Sequence, residues 1–170
     1  MRLVPFALVG MVTLSAGAAA MKQRVESSAN GKNASPIYGV TIPDGYRGWE
    51  LIAPALEVDP LNELRAVLGN ALAVKAYGEG TLPFPDGTVL MKLAWKRIQS
   101  PEFPPASVPG AATTVQIMVK DSKRYASTGG WGFGRFTGGQ PVDQEQHETC
   151  FACHETRVRA HDYVFTRLAL

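Results

Sequence analysis

The only two cysteines of the chain lie in one short segment near its C-terminal end, Cys150-Phe151-Ala152-Cys153-His154. Two thiols three positions apart fall on one helical turn, where they can add to the two vinyl groups of a haem. The histidine that follows then lies under the iron as its proximal ligand. This spacing is the attachment motif of a c-type haem. It predicts one covalently bound haem c, held by Cys150 and Cys153, with His154 on the iron.

Three other uses of the cysteine pair stay open. A zinc site would need further ligands, and His147 and His161 supply at best a loose set. A thioredoxin-like redox pair is expected at the start of a helix in a βαβ unit, whereas this pair follows predicted antiparallel strands. A disulfide is the plain structural alternative in an exported protein, but it would close only a very short loop. Export and the lack of any further cysteine favour haem c.

Residues 1–20 have the pattern of a secretory signal peptide. Arg2 is their single charged residue, and an apolar run extends from Leu3 to Leu14. Small residues follow this run and offer cleavage after Ala18 or after Ala20. The run is shorter than the about 20 residues that a membrane-spanning helix needs, although an uncleaved anchor is the alternative. We therefore expect cleavage and export to the periplasm.

The rest of the chain has room for one domain. The chain has 170 residues, and a domain typically takes roughly 100 to 200. Residues 21–36 are polar and lack a hydrophobic period, which predicts a flexible tether before a haem domain over residues 37–170. The formal net charge of +2 is too small to indicate a nucleic-acid surface, so we expect no nucleic-acid partner.

Short apolar runs separated by glycine and proline turns predict an α+β fold, in which a mainly antiparallel sheet carries flanking helices. We expect about five strands, at residues 49–56, 63–68, 88–97, 113–120 and 131–136. One helix is predicted over residues 70–77 with Asn70 as its N-cap, and a C-terminal haem-attachment helix over residues 142–155. A continuous helix over residues 61–77 is the rival interpretation of the first of these helices.

Several segments, together with the late CxxCH motif, resemble the cytochrome P-460 family. They are Pro83–Thr88 leading into Met91–Lys96, then Val119–Tyr125, Gly129–Gly134 and Asp162–Phe165. The resemblance extends from about Tyr38 to the C-terminus. It implies a mainly antiparallel β fold and a homodimer.

The resemblance implies two kinds of function. Cytochromes P-460 proper oxidise hydroxylamine, and a lysine side chain forms an extra covalent bond to their haem. The related cytochromes c-prime-beta lack this bond and bind nitric oxide or carbon monoxide. We expect hydroxylamine oxidation to nitrogen oxides, with electrons passed to another periplasmic cytochrome. Gas binding without catalysis and simple electron transfer are the alternatives.

The resemblance also implies a lysine on the strand after Pro85-Asp86-Gly87. Lys92 is our candidate for the haem cross-link, and Lys96 is the second choice. The period of two along a strand places Lys92, Ala94 and Lys96 on one face. Ala94 is small enough to leave room for haem there. The alternative is that both lysines are solvated strand residues.

Other polar residues carry weaker signals. Glu50, Glu102 and Glu145 are available as a distal carboxylate, but surface positions are expected for each of them, as also for His147 and His161. Arg47 and Arg135 are candidates to pair with haem propionates. Trp131, Phe133 and Phe136 are candidates to line the haem pocket, and Gly132 and Gly134 to admit a flat ligand. Met91 and Met118 could close the sixth iron position, but neither lies in a flexible ligand loop, so we expect an open iron site.

Overall fold

A computed structural model of the protein describes residues 33–169. The expected signal peptide and most of the expected tether lie outside these residues. The described chain forms one six-stranded antiparallel sheet whose strand order follows the sequence. This confirms the predicted α+β fold, with six strands in place of about five. The strands are β1 (Glu50–Glu57), β2 (Glu63–Gly69), β3 (Val89–Gln99), β4 (Ser107–Lys120), β5 (Trp131–Thr137) and β6 (Gln140–Pro141).

Two α-helices accompany the sheet, α1 (Ala71–Glu79) and α2 (Gln144–Val158). The Asn70 side chain accepts a hydrogen bond from the Ala73 N–H over 3.0 Å, as expected of an N-cap. Gly80 ends α1 in a left-handed conformation. The rival helix over residues 61–77 is wrong, because residues 63–69 pair with β1 on one side and with β3 on the other.

Strands β3 and β4 form a longer hairpin than predicted, because β3 extends to Gln99 and β4 begins at Ser107. Strand β4 begins at Ser107, although Pro109 and Gly110 lie within it. Register shifts in the β3 and β4 pairing lie between Leu93 and Arg97. Such bulges let a strand accommodate residues that fit a regular ladder poorly. Strand β6 has only two residues and therefore no detectable alternation.

The strand register defines a polar row on one side of the sheet. Lys92 pairs with Val67 on β2 and with Gln116 on β4, and Gln116 pairs with Arg135 on β5. Directly paired residues project to the same side, so these four residues share one face, which we call the site face. The intervening residues, including Met91, project to the opposite face.

Helix α2 and the segment after it cover the site face. Phe133 pairs with Met118 and projects to this face. The centre of its ring lies 6.4 Å from the centre of the Phe151 ring on α2. The opposite face holds the fully buried side chains of Met91, Ile117 and Phe136. The helix that carries the CxxCH motif thereby lies against the face that carries Lys92. Within residues 33–169, no helix is long and apolar enough to cross a membrane.

Candidate functional site

Helix α2 is fixed to the edge of β5 by His147. The main-chain N–H of Arg135 can only donate, so His147 Nε2 accepts its hydrogen bond over 3.0 Å. The proton then lies on Nδ1, which donates to the Asp143 carbonyl over 2.8 Å. His147 is fully buried, so the expected surface position is wrong. Both ring nitrogens are engaged, which leaves neither for iron or zinc.

The CxxCH motif lies on one turn of α2. Asp143 caps this helix by accepting the Gln146 N–H over 2.9 Å. Cys150 is partly buried and Cys153 is exposed, and the two thiols are free. Burial raises the pKa of the Cys150 thiol, against the opposing positive charges of Arg135 and Lys92. The partly buried Cys150 packs against the core, whereas the Cys153 thiol is exposed on the same helix.

His154 is held in one tautomer. Its Nδ1 lies 2.7 Å from the Tyr163 carbonyl oxygen, which can only accept, so Nδ1 carries the proton and the Nε2 lone pair is available to a metal. Burial lowers the pKa of His154, and the nearby charge of Lys92 lowers it further, against the effect of the hydrogen bond to Tyr163. The rings of Phe133 and Phe165 lie 5.0 Å and 4.9 Å from the imidazole. The site therefore keeps His154 neutral and oriented, as an iron ligand must be.

The structure brings Lys92 to the motif, but not Lys96. Burial lowers the pKa of Lys92 to about 8; the positive charges of Arg65 and Arg135 contribute, and Glu63 opposes them. The positive charge of Lys92 acts to lower the pKa of both Cys150 and His154. Lys96 is exposed, and its Nζ donates to the Leu61 carbonyl over 3.0 Å. Of the two lysines, only Lys92 is part of this site.

A buried pair on β2, Glu63 and Arg65, was missed from the sequence. Glu63 is 5% exposed, and its carboxylate accepts hydrogen bonds from Arg65 Nη2 over 2.8 Å and from Thr113 Oγ1 over 2.7 Å. Arg65 also pairs with Glu57. The period of two, which places both charges on one side of a mostly apolar strand, was the available signal. The carboxylates named from the sequence, Glu50, Glu102 and Glu145, are exposed, as expected.

Arg135 and Arg47 differ in their surroundings. Arg135 is partly buried, and its Nε has no hydrogen-bond partner among residues 33–169. A buried guanidinium nitrogen of this kind suits a carboxylate such as a haem propionate. Arg47 is exposed and lies over the ring of Tyr46. Arg135 is therefore the better placed of the two arginines.

The pocket candidates on β5 divide between the two faces. Phe133 contacts His154, whereas Phe136 pairs with Val115 on the opposite face. A side chain at Gly132 would meet the ring of Tyr125, and one at Gly134 would meet Phe136 and Val40. These glycines make room for side chains of the protein core.

Two alternatives for the metal chemistry lose support. Residues 33–169 contain no group of three or more histidine, cysteine and acidic side chains that could hold a metal ion, which argues against zinc. Met91 is fully buried on the face opposite Lys92. Met118 lies on the site face, where it pairs with Phe133. The two thiols, the Nε2 of His154 and the Nε of Arg135 together fit a haem.

Comparison with known proteins agrees with this chemistry. A protein-family model described as Cytochrome P460 matches residues 43–166. The match covers β1 to β6, both helices and the CxxCH motif. No curated protein matches the chain.

Proposed function

The chain belongs to the cytochrome P460 family, a family of haem-binding cytochromes, and from that premise we propose that it is a monohaem c-type protein that oxidises hydroxylamine. Cys150 and Cys153 would attach the haem, and His154 would bind its iron. The observation that carries the haem-binding part of the proposal is the hydrogen bond of 2.7 Å between His154 Nδ1 and the Tyr163 carbonyl; the hydroxylamine activity is proposed from the family. The hydrogen bond leaves the Nε2 lone pair of the imidazole free to bind an iron, on the same helix as both thiols.

The haem supplies the redox chemistry, and the chain controls orientation, charge and access. Phe133 and Phe165 pack against the His154 ring and restrict its rotation. Arg135 is positioned to neutralise a haem carboxylate. Arg65 and Lys92 lie on the same face of the sheet as Arg135.

We propose that the iron would keep an open coordination position for a small ligand. The two ring nitrogens of His147 are engaged, so His147 is not a second ligand. The ring of His161 packs against Phe84. Met91 lies on the wrong face of the sheet. Met118 is the remaining candidate of those named from the sequence, and Met118→Leu tests it. An unchanged visible spectrum in this variant supports the open site.

We further propose that Lys92 is the cross-linking residue. Its lowered pKa keeps a substantial fraction of the amine neutral near pH 8, and the neutral amine is the form that bonds to carbon. Such a bond replaces an N–H and a C–H bond, so its formation is an oxidation that needs an oxidant such as a peroxide. Lys92 also lies on the same face as the thiol and imidazole that hold the haem.

The second candidate function is the binding of nitric oxide or carbon monoxide without catalysis. Hydroxylamine oxidation releases protons and needs an acceptor for them. Glu63, the buried carboxylate on the site face, is already engaged by Arg65 and Thr113. The residue paired with Lys92 on β4 is Gln116, whose amide does not accept a proton at ordinary pH. These two observations are the grounds for gas binding as the second candidate.

The proposed location and partners follow from the N-terminal sequence and from the sheet. We propose that the protein is periplasmic and passes electrons to another periplasmic cytochrome. We also propose that it forms a homodimer. Exposed apolar side chains on the edge strand β1 and just after it, Leu51, Leu56 and Val58, support association there. Light scattering on the purified protein tests the dimer, and a monomeric mass contradicts it.

Three measurements on the purified protein test the function in sequence. Haem staining after denaturing electrophoresis detects covalent attachment, and colour lost on denaturation contradicts it. The ferrous protein is expected to bind nitric oxide or carbon monoxide, and a low-spin spectrum unchanged by both gases indicates an electron carrier. Turnover of hydroxylamine with an external electron acceptor then separates catalysis from gas binding alone.

A further inference from the structure

The turn that presents the Tyr163 carbonyl to His154 has an unusual backbone. Asp162 and Tyr163 both have positive φ values, 46° and 63°. The left-handed region disfavours residues other than glycine, so two in succession require support from their surroundings. The position of the carbonyl therefore depends on whatever holds this turn.

A buried ion pair holds it. The Asp162 carboxylate lies 2.8 Å and 2.9 Å from Lys120 Nζ, and the two side chains are only 8% and 6% exposed. The same carboxylate accepts the Phe84 N–H over 2.8 Å. Lys120 also donates to the Gly129 carbonyl over 3.1 Å and lies 4.9 Å from the centre of the Trp131 ring. The turn is thus tied to the end of β4, the start of β5 and the loop before β3.

The Tyr163 side chain also holds this turn in place, through packing. Its ring lies against Gly129, where a Cβ atom would approach the ring to 2.2 Å. Gly129 itself has a φ of 65°. Gly129, whose carbonyl accepts a hydrogen bond from Lys120, therefore also packs against the ring of Tyr163. The ion pair at Asp162 and the packing of the Tyr163 ring therefore both hold the turn of residues 162–163.

We propose that the Lys120 and Asp162 pair is a positioning device for His154. It holds the left-handed turn so that the Tyr163 carbonyl accepts from His154 Nδ1, and this hydrogen bond sets the orientation and basicity of the imidazole as an iron ligand. The inference rests on the proposed function, in which His154 binds the haem iron. Hydrogen bonds to the far nitrogen of a metal-bound histidine tune the metal in this way.

Asp162→Asn tests the charge separately from the backbone. Asparagine tolerates the left-handed region as aspartate does, so this change removes the carboxylate charge and retains the preference of the turn. It leaves the Lys120 ammonium buried without an anion, which destabilises the fold. The double variant K120M/D162N removes both charges, so it has no unpaired buried charge.

The measurements are made on the haem-loaded protein. We expect the iron to histidine stretching frequency, read by resonance Raman on the ferrous protein, to fall in Asp162→Asn and further in K120M/D162N. The reduction potential is expected to rise in the same order, because a weaker hydrogen bond makes His154 a weaker donor to the iron. A double variant with the frequency and potential of the wild type overturns the proposal, whatever its thermal stability.

Ser100→Ala is the matched control. Ser100 is buried at the distant turn between β3 and β4, where its hydroxyl accepts the Phe103 N–H over 3.1 Å. We expect this variant to lose thermal stability with the frequency and potential unchanged. If the control moves both readouts as the double variant does, the effect is general destabilisation and the proposal fails. A wild-type protein that binds haem with no histidine on the iron contradicts the proposed function instead.

Discussion

The Arg135 N–H and His147 Nε2 form a hydrogen bond of 3.0 Å that joins β5 to α2 twelve positions along the chain. The Asp143 carbonyl engages the other nitrogen of the same ring, so His147 connects the start of α2 to the strand edge. Cys150 lies one turn further along α2. The position of the CxxCH motif relative to the sheet therefore depends on a histidine outside that motif.

Replacing His147 with alanine is expected to destabilise the protein by about 1 to 3 kcal/mol, because a fully buried ring is removed and the partly buried Arg135 N–H loses its acceptor. Haem attachment is expected to fall with it. Urea unfolding and haem staining measure the two effects. Glu148→Ala, at the exposed neighbouring position, is the control and is expected to leave both unchanged. Equal stability of His147→Ala and the wild type would contradict the structural role.

Replacing Lys92 with methionine is expected to remove the haem cross-link. In the wild type, peptide mapping should find haem joined both to the peptide with Cys150 and Cys153 and to the peptide with Lys92. Lys92→Met should retain the first attachment and show an ordinary c-type spectrum, whereas Lys96→Met should resemble the wild type. A wild-type haem bound only through the cysteines defeats the cross-link and leaves gas binding as the function.

The pKa of Lys92 predicts a pH dependence of stability in the haem-free chain. The folded pKa is about 8, below the ordinary value of 10.5. Between these two pH values the unfolded chain binds more protons, so the contribution of Lys92 to the free energy of unfolding rises with pH, by at most about 3 kcal/mol. Urea unfolding across this range should show a smaller slope for Lys92→Met. Lys96→Met should keep the wild-type slope; equal slopes for all three proteins would refute the lowered pKa.

Placing a carboxylate across from Lys92 is expected to favour catalysis. Gln116→Glu supplies a proton acceptor on the site face, and general-base effects of this kind are typically on the order of a hundredfold or more. We expect hydroxylamine turnover to increase by about tenfold or more, because the new carboxylate also lies close to Arg135, which weakens it as a base. Gln116→Met controls for loss of the amide. If turnover does not increase, the lack of a free carboxylate on the site face is not what limits hydroxylamine oxidation.

Much of the fold was accessible from local patterns. Asn70 predicted the start of α1, and the period of two placed Lys92 and Lys96 on one face of β3. The strand ends were less predictable where Pro109 and Gly110 extend into β4, because bulges accommodate residues that a local pattern reads as a turn. The two-residue strand β6 exists only through its pairing with β5.

The sequence by itself determined the chemistry of the CxxCH motif, because its thiols and histidine are neighbours on one helical turn. The tertiary structure decided what surrounds that motif. It selected Lys92 over Lys96, buried His147, and engaged Glu63 with Thr113, fifty positions away. It also formed the ion pair between Lys120 and Asp162, which are 42 positions apart in the sequence. Strand register and burial set these contacts, and both depend on how distant segments pack, which no local spacing of residues specifies.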